Sequence, residues 1–143
     1  MKTKPIQNKI NAAPEQIDLC LTLLADAHKA KENAYSRYSN FQVGAAVLAK
    51  DGNIIKGCNV ENASYGLTMC AERTALFKAT SEGYKPGDFE AIAIAASADD
   101  FSPCGACRQV INEFGDDMIV IFEFGGETII TTLAGILPYN FKL

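Results

Sequence analysis

The sequence lacks the features that mark membrane, secreted and nucleic-acid-binding proteins. It has no run of apolar residues approaching the ~20 that a membrane-spanning helix requires. Residues 1–14 carry lysines but no apolar segment of the kind found in secretion signals. The 13 lysines and arginines are scattered and outnumbered by 17 aspartates and glutamates, whereas nucleic-acid binders show a clustered positive surface. We therefore expect a cytoplasmic protein with a small neutral substrate, and neither a membrane nor a nucleic acid as a partner.

Histidine is scarce, and cysteine occurs in an odd number. The chain has one histidine, His28, and five cysteines. An odd number of cysteines without a secretion signal argues against a disulfide framework and favours a metal site or a catalytic thiol. At 143 residues, the chain is long enough to bury the core of one domain without such cross-links.

The periodicity of the apolar residues predicts a mixed α/β chain. Amphipathic and buried segments are separated by turn residues, such as the Asp-Gly pair at 51–52. The predicted elements are helix 14–33, strands 41–49 and 54–60, helix 70–81, strand 89–97, helix 104–114, and strands 118–123 and 128–132. Helices that separate buried strands imply crossover connections. The prediction is a three-layer α/β/α sandwich with a five-stranded mixed sheet, preceded by a flexible lead-in at residues 1–13.

Three cysteines stand at the starts of two predicted helices. Cys104 and Cys107 form a Cys-x-x-Cys pair after Pro103, and one helical turn brings their sulfurs to the same side. This pair alone would also suit a redox disulfide or half of a structural zinc site. Cys70 opens the other helix, and the exposed N–H groups of a helix start lower the pKa of a thiol there. Three thiols at two helix starts fit a metal better than a disulfide.

The fourth position on that metal is predicted to hold water, with Glu72 beside it. A structural zinc site needs a fourth cysteine or histidine, but His28 lies far upstream and Cys58 falls on a predicted strand. Three protein ligands and one open position are typical of catalytic zinc. Positions i and i+2 of a regular helix do not face each other, so Cys70 must lie at an irregular helix end for Glu72 to share its pocket. Most glutamates in a first helical turn only interact with the helix dipole, and the zinc context favours catalysis here.

Longer stretches around these residues resemble one family. Residues 59–66 read Asn-Val-Glu-Asn-Ala-Ser-Tyr-Gly, residues 70–75 read Cys-Ala-Glu-Arg-Thr-Ala, and residues 102–109 read Ser-Pro-Cys-Gly-Ala-Cys-Arg-Gln. Together with the strand at 38–46, they resemble the small, homotetrameric, zinc-dependent class of cytidine deaminase. Three cysteine ligands with a glutamate that is not a ligand are also the residue set of zinc deaminases. The resemblance implies a single catalytic domain at residues 14–143.

The resemblance further implies the reaction and its residues. One Zn²⁺ per chain, held by Cys70, Cys104 and Cys107, would serve the hydrolytic deamination of cytidine and 2′-deoxycytidine to uridine and 2′-deoxyuridine with release of ammonia, in pyrimidine salvage. The roles implied for the other residues are proton transfer for Glu72, ribose 3′-hydroxyl binding for Asn59 and Glu61, packing on the pyrimidine for Phe41, a backbone N–H bond to the base carbonyl for Ala71, and contact with a neighbouring subunit's pocket for Tyr65 and Phe141.

Two arginines adjoin the ligands. Arg73 follows Glu72, and Arg108 follows Cys107. Three thiolates would leave the zinc site with a formal charge of about −1, so we expect both arginines to withdraw charge from the sulfurs. In the family that the chain resembles, the arginine at the position of Arg73 contacts a ligand sulfur. Ordinary solvation or unrelated ion pairs are the alternative for both arginines.

Two other functions stay open at this point, and one segment departs from the family pattern. The same chemistry could act on another cytosine-nucleoside analogue, such as a nucleoside antibiotic. A non-catalytic zinc or thiol protein would explain the cysteines but not Glu72. The family usually has an acidic residue before its Leu-Leu-Pro, whereas residues 132–138 read Thr-Leu-Ala-Gly-Ile-Leu-Pro.

Overall fold

The computed structural model describes residues 3–143, which form six strands and four α-helices. The elements are β1 (Ile6–Asn8), α1 (Pro14–Lys31), β2 (Val43–Ala49), β3 (Ile54–Cys58), α2 (Ala71–Ser81), β4 (Phe89–Ala96), α3 (Gly105–Phe114), β5 (Ile119–Phe124), β6 (Glu127–Thr132) and α4 (Leu133–Ile136), with a short 3₁₀-helix at Tyr65–Leu67. Within this described part of the chain, no helix combines the length and the apolar character that crossing a membrane requires.

The strands form one mixed sheet in the order β1-β6-β5-β4-β2-β3. The β4–β5 and β1–β6 pairs are parallel, and the β2–β3, β2–β4 and β5–β6 pairs are antiparallel. The described residues therefore contain one strand more than the five predicted. The additional strand, β1, lies inside the segment predicted to be a flexible lead-in, where Ile6 pairs opposite Thr128 of β6. Three residues carry too little periodicity for sequence to predict a strand, and β1 depends on the edge that β6 presents to it.

Two apolar cores lie on opposite faces of this sheet. Along β2, Val43, Ala45 and Val47 belong to one core, whereas Ala46 and Leu48 belong to the other, because successive side chains of a strand alternate between faces. Helix α1 covers the second core, and α2, α3 and α4 cover the first. The predicted three-layer α/β/α sandwich is therefore confirmed.

Two glycines bring helices directly against the strands. A Cβ atom at Gly44 would collide with the backbone of Ala27 and Lys31 in α1. A Cβ atom at Gly57 of β3 would lie 2.5 Å from the Ala75 nitrogen in α2, closer than real Cβ contacts come. The absence of a side chain at Gly57 thus allows the first turns of α2 to pack directly on the sheet. The candidate site begins at this end of α2.

Candidate active site

Both helices that approach the site are preceded by a cysteine. Cys70 is the N-cap of α2, with φ −70° and ψ 154°, and Cys104 is the N-cap of α3, with φ −65° and ψ 162°. Each helix therefore begins one residue later than predicted. The extended backbone at Cys70 is the irregular helix end that Glu72 needs in order to share a pocket with it. Cys107 lies buried in the first turn of α3, and its N–H donates to the Cys104 sulfur at 3.4 Å.

The three cysteine sulfurs lie together. The Cys70 and Cys104 sulfurs are 4.0 Å apart, and all three ligand atoms, with Cys107, lie within 4.8 Å of one another. A tetrahedral zinc with bonds of about 2.3 Å to sulfur places its ligands about 3.8 Å apart, so the cluster fits this metal with a small contraction. Among residues 3–143, this is the one group of at least three histidine, cysteine or acidic side chains with such an arrangement.

Cys70 is held in its metal-binding form. A hydrogen bond with the Cys107 thiol, together with the Arg73 guanidinium, lowers the pKa of Cys70 to about 5, although burial opposes the shift. The Arg73 Nη2 atom donates to the Cys70 sulfur at 3.2 Å. Because the thiolate is the form that binds metals, the contact prepares this ligand at neutral pH.

Glu72 lies beside the sulfurs and is almost fully buried, with 2% of its surface exposed. Burial and the nearby charge of Cys70 together raise the pKa of Glu72 to about 6, while hydrogen bonds with its own backbone and with Cys107 oppose the shift. A pKa near the working pH is what a group needs in order to accept and return a proton. Glu72 is thus placed and tuned for acid–base chemistry. Ala71, between it and Cys70, is fully buried.

Polar residues of the loop after β3 contact the residues that lead into β2. The Asn59 side chain accepts from the Val43 N–H at 2.8 Å and donates to the Phe41 carbonyl at 2.8 Å, so it fixes the start of β2. The Phe41 ring packs against that of Phe101, with centroids 6.3 Å apart. Asn59 is buried, and Phe41 is partly buried against the first core. The structure thus brings two of the predicted substrate residues into direct contact.

Glu61 is fixed by the loop ahead of β2. Its carboxylate accepts from the N–H groups of Tyr38 at 2.9 Å and Ser39 at 3.1 Å, and from the Ser39 hydroxyl. The hydrogen bond from the Ser39 side chain, with the two backbone bonds, lowers the pKa of Glu61. Glu61 therefore stays ionised and has a set orientation.

Three other predicted residues make their contacts with groups other than the cysteine sulfurs. Tyr65 is 75% exposed, and its ring meets the Tyr38 ring edge-on at 6.0 Å. Phe141 is 67% exposed near the C-terminus, where its carbonyl accepts from the Asn112 side chain at 3.2 Å. The Arg108 guanidinium makes its three hydrogen bonds to oxygen atoms, none of them to sulfur.

Sequence reasoning assigned no role to Ser39 or Phe101. Ser39 holds Glu61, and Phe101 supports the ring of Phe41. The signal for Phe101 is weak: it is a single aromatic residue in a polar stretch three positions before Cys104. No local pattern marks Ser39, because its partner is 22 residues away in the chain.

Comparison with known proteins agrees with this geometry. A family described as the "cytidine and deoxycytidylate deaminase zinc-binding region" matches residues 20–123. A zinc-binding deaminase is therefore the class that the fold and the site define. A cytidine deaminase from Sporosarcina psychrophila is 50% identical over 123 residues, which are 84% of this chain and 89% of the relative. The crystal structure of cytidine deaminase from Burkholderia pseudomallei matches with a TM-score of 0.81 and 48% identity, over 85% of this chain and 98% of that one.

A more distant relative is also informative. A blasticidin-S deaminase from Bacillus cereus is 33% identical over 108 residues, which are 69% of this chain and 76% of the relative. The cytidine deaminase from Sporosarcina psychrophila is more similar to this chain and covers more of it, which decides the assignment. The chain belongs to the cytidine deaminase family.

Proposed function

We propose that this protein catalyses the zinc-dependent hydrolytic deamination of cytidine and 2′-deoxycytidine, with release of ammonia and formation of uridine and 2′-deoxyuridine. The observation that carries the proposal is the buried Glu72 carboxyl, with its pKa raised to about 6, beside three clustered cysteine sulfurs. Family membership supports the choice of cytosine nucleosides as substrates. We also propose that the reaction serves pyrimidine salvage.

The catalytic roles divide between ligands and proton carrier. Cys70, Cys104 and Cys107 would hold one zinc ion per chain. Bound zinc supplies Lewis acidity, which can lower the pKa of water from about 15.7 to about 7. Glu72 accepts the proton of the attacking water and delivers it to N3 of the base. It then takes the proton of the new C4 hydroxyl and gives it to the departing amine, so that the C4 carbonyl forms as ammonia leaves. Positioned acid–base catalysis of this kind contributes about 10² to 10⁴ in rate.

The loop after β3 supplies two of the proposed substrate-binding residues, Asn59 and Glu61. Glu61 is ionised. Its Oε1 atom already accepts two backbone hydrogen bonds, but Oε2, which accepts one from the Ser39 hydroxyl, retains acceptor capacity for a ribose hydroxyl. Asn59 stands two residues before Glu61, and we assign the pair to the ribose 3′-hydroxyl. We assign Phe41, supported by Phe101, to the face of the pyrimidine, and the Ala71 N–H at the start of α2 to the base carbonyl. Arg73, which donates to the Cys70 sulfur, would withdraw charge from that ligand.

We further propose a homotetramer in which neighbouring chains complete each pocket. Cys104 is exposed in the single chain, and so are most of Tyr65 and most of Phe141. Closing a site against water strengthens the electrostatic interactions within it. A neighbouring chain would supply that closure through Tyr65 and Phe141. We also propose that residues 14–143, to which β1 adds an edge strand, form one catalytic domain. We propose a cytoplasmic location for it, because reducing compartments keep ligand thiols free.

A second substrate class has one specific observation in its favour, the similarity to the blasticidin-S deaminase. Deamination of a cytosine-nucleoside antibiotic such as blasticidin S would depend on the same zinc and on the same Glu72. The fixed and ionised Glu61 favours a plain nucleoside, because it matches a sugar hydroxyl.

The test is a substrate panel assayed by ammonia release at a known zinc content. Cytidine and 2′-deoxycytidine should turn over with the highest kcat/KM, and blasticidin S and free cytosine with much lower values. No turnover of any cytosine nucleoside by chains that carry one zinc each would overturn the proposed function. A preference for blasticidin S would establish the second class instead.

A further inference from the structure

Arg108 connects two parts of the chain that are distant in sequence. Its Nε atom donates to the Pro103 carbonyl at 2.8 Å, and its Nη2 atom donates to the Ser102 hydroxyl at 3.2 Å. Its Nη1 atom donates to the Ile136 carbonyl at 2.8 Å, 28 residues further along the chain. One guanidinium thus joins the residues just before Cys104 to the end of α4.

The two ends of this connection differ in how firmly they are anchored. Helix α4 is fixed in the first core by Leu133, which is fully buried and donates its N–H to the Met118 carbonyl at 3.0 Å. The loop between β4 and α3 is held at Phe101, whose N–H donates to the Glu123 carbonyl at 3.3 Å. Beyond Phe101, the side-chain hydrogen bonds to the last two loop residues come from Arg108.

The ligand that follows this loop is the least enclosed of the three. Cys104 is exposed, whereas Cys107 is buried and Cys70 is partly buried. Cys104 stands at the junction of this loop with α3, where its sulfur accepts from the Cys107 N–H at 3.4 Å. Its position therefore depends both on α3 and on the path of Ser102 and Pro103, to which Arg108 donates.

We propose that Arg108 is a positioning residue that fixes the ligand Cys104 relative to the core through α4. This role differs from the expected withdrawal of charge from the sulfurs, because the three hydrogen bonds of the guanidinium go to oxygen atoms. It requires the planar arrangement of donors that arginine has and lysine lacks. The inference rests on the proposed zinc site but not on the identity of the substrate.

The experiment compares Arg108→Lys and Arg108→Met with the wild type in two measurements that do not use turnover. One is the rate at which the zinc-loaded protein releases its metal to a chelating dye. The other is the sulfur-to-metal absorption of the protein loaded with Co²⁺. Because residues that orient metal ligands typically change affinity or activity by about 10- to 100-fold when lost, both variants should release zinc about tenfold faster or more. Their Co²⁺ spectra should shift.

The Arg108→Lys variant distinguishes the positioning role of Arg108 from withdrawal of charge from the sulfurs. If its charge alone matters, Arg108→Lys should match the wild type, and that result would overturn the proposal. Lys142→Ala is the matched control, because it removes a cation of the same C-terminal region that pairs with Asp116 at 3.3 Å. It leaves the three acceptors of Arg108 in place, so its release rate should equal that of the wild type.

Ser102→Ala keeps the test decisive if the arginine variants fail to fold. It removes one acceptor and leaves the two carbonyls, so we expect a smaller acceleration of zinc release in the same direction. If neither Arg108 variant folds, a zinc-release rate of Ser102→Ala equal to that of the wild type would contradict the proposal. A wild-type chain that binds no zinc would instead contradict the proposed function, so the two failures are distinguishable.

Discussion

At the scale of single residues, the position of Cys70 before its helix makes the site possible. Inside a regular helix, the sulfur of Cys70 and the carboxyl of Glu72 would diverge. As an N-cap with extended backbone, Cys70 directs its sulfur toward Cys104, while Glu72 lies in the first helical turn. The Arg73 side chain then reaches back to the same sulfur. The four consecutive positions from the N-cap Cys70 to Arg73 therefore supply one ligand, the proposed proton carrier and a charged partner.

Glu61 gives a pH-dependent prediction at this scale. Because its pKa is lowered in the folded chain, its contribution to stability is present above its unfolded pKa of about 4.3 and is lost as the pH falls through the folded value. The melting temperature of Glu61→Gln should therefore lie below that of the wild type at neutral pH, and the gap should narrow below about pH 4. Thermal unfolding of both proteins across this range measures the gap. Both proteins have the same cysteines, so effects of acid on the thiols cancel in the difference between the two melting temperatures. A difference that is independent of pH would contradict the account.

At the scale of elements, the site depends on how closely α2 approaches β3. The Gly57 position faces the backbone of Ala71 and Ala75, with an added Cβ atom 2.9 Å from the Ala71 oxygen. Backbone atoms of a helix cannot rotate away as a side chain can, so the whole helix must move when this space is filled.

Gly57→Ala should therefore both destabilise the fold and displace the catalytic residues. Overpacking of this kind costs about 1 to 3 kcal/mol, and a shift of α2 would separate Glu72 from the sulfurs of α3. We expect a lower melting temperature and a lower kcat for cytidine. Gly105→Ala is the control for stability, since a Cβ atom there meets open space. A Gly57→Ala protein with the melting temperature and kcat of the wild type would show that the contact is not limiting.

The sequence was informative for long elements and less so for short ones. Strand β4 and helices α2 and α3 begin and end within one residue of prediction, because each has strong periodicity and a terminating glycine or turn. Strand β1 escaped prediction because it exists through pairing with β6. The role of Arg108 was also beyond the sequence. The position of Arg108 beside Cys107 predicts a contact with sulfur. Its hydrogen-bond partners in the structure instead include the Ile136 carbonyl, which is distant in sequence and comes close only in the folded chain.

At the scale of the whole molecule, a single chain leaves Cys104 and the aromatic residues Tyr65 and Phe141 exposed. The exposed Tyr65 and Phe141 side chains are the surface that a neighbouring copy would use in the proposed homotetramer. Sequence alone could not establish such an assembly, because an exposed aromatic residue has the same local pattern in a monomer and in an oligomer.

Mixed assemblies test the shared pocket. Glu72→Gln chains keep Tyr65 but lack the proton carrier, and Tyr65→Ala chains keep Glu72 but lack the aromatic that would reach a neighbour. Refolding the two variants together should place an intact Tyr65 next to an intact Glu72. The mixture should then exceed the summed activity of the separately refolded variants by several-fold. Activity equal to that sum, or an active monomer by light scattering at assay concentration, would contradict the shared pocket.

The central claim is that one buried carboxyl, and not the metal site alone, moves the protons of the reaction. Its most direct test is Glu72→Gln, assayed for zinc per chain and for ammonia release from cytidine in the same sample. The variant should retain one zinc per chain, because Glu72 is not a ligand. Turnover should fall by about 10² to 10⁴, the usual contribution of a positioned acid–base group. Turnover near the wild-type rate at full zinc content would contradict the account.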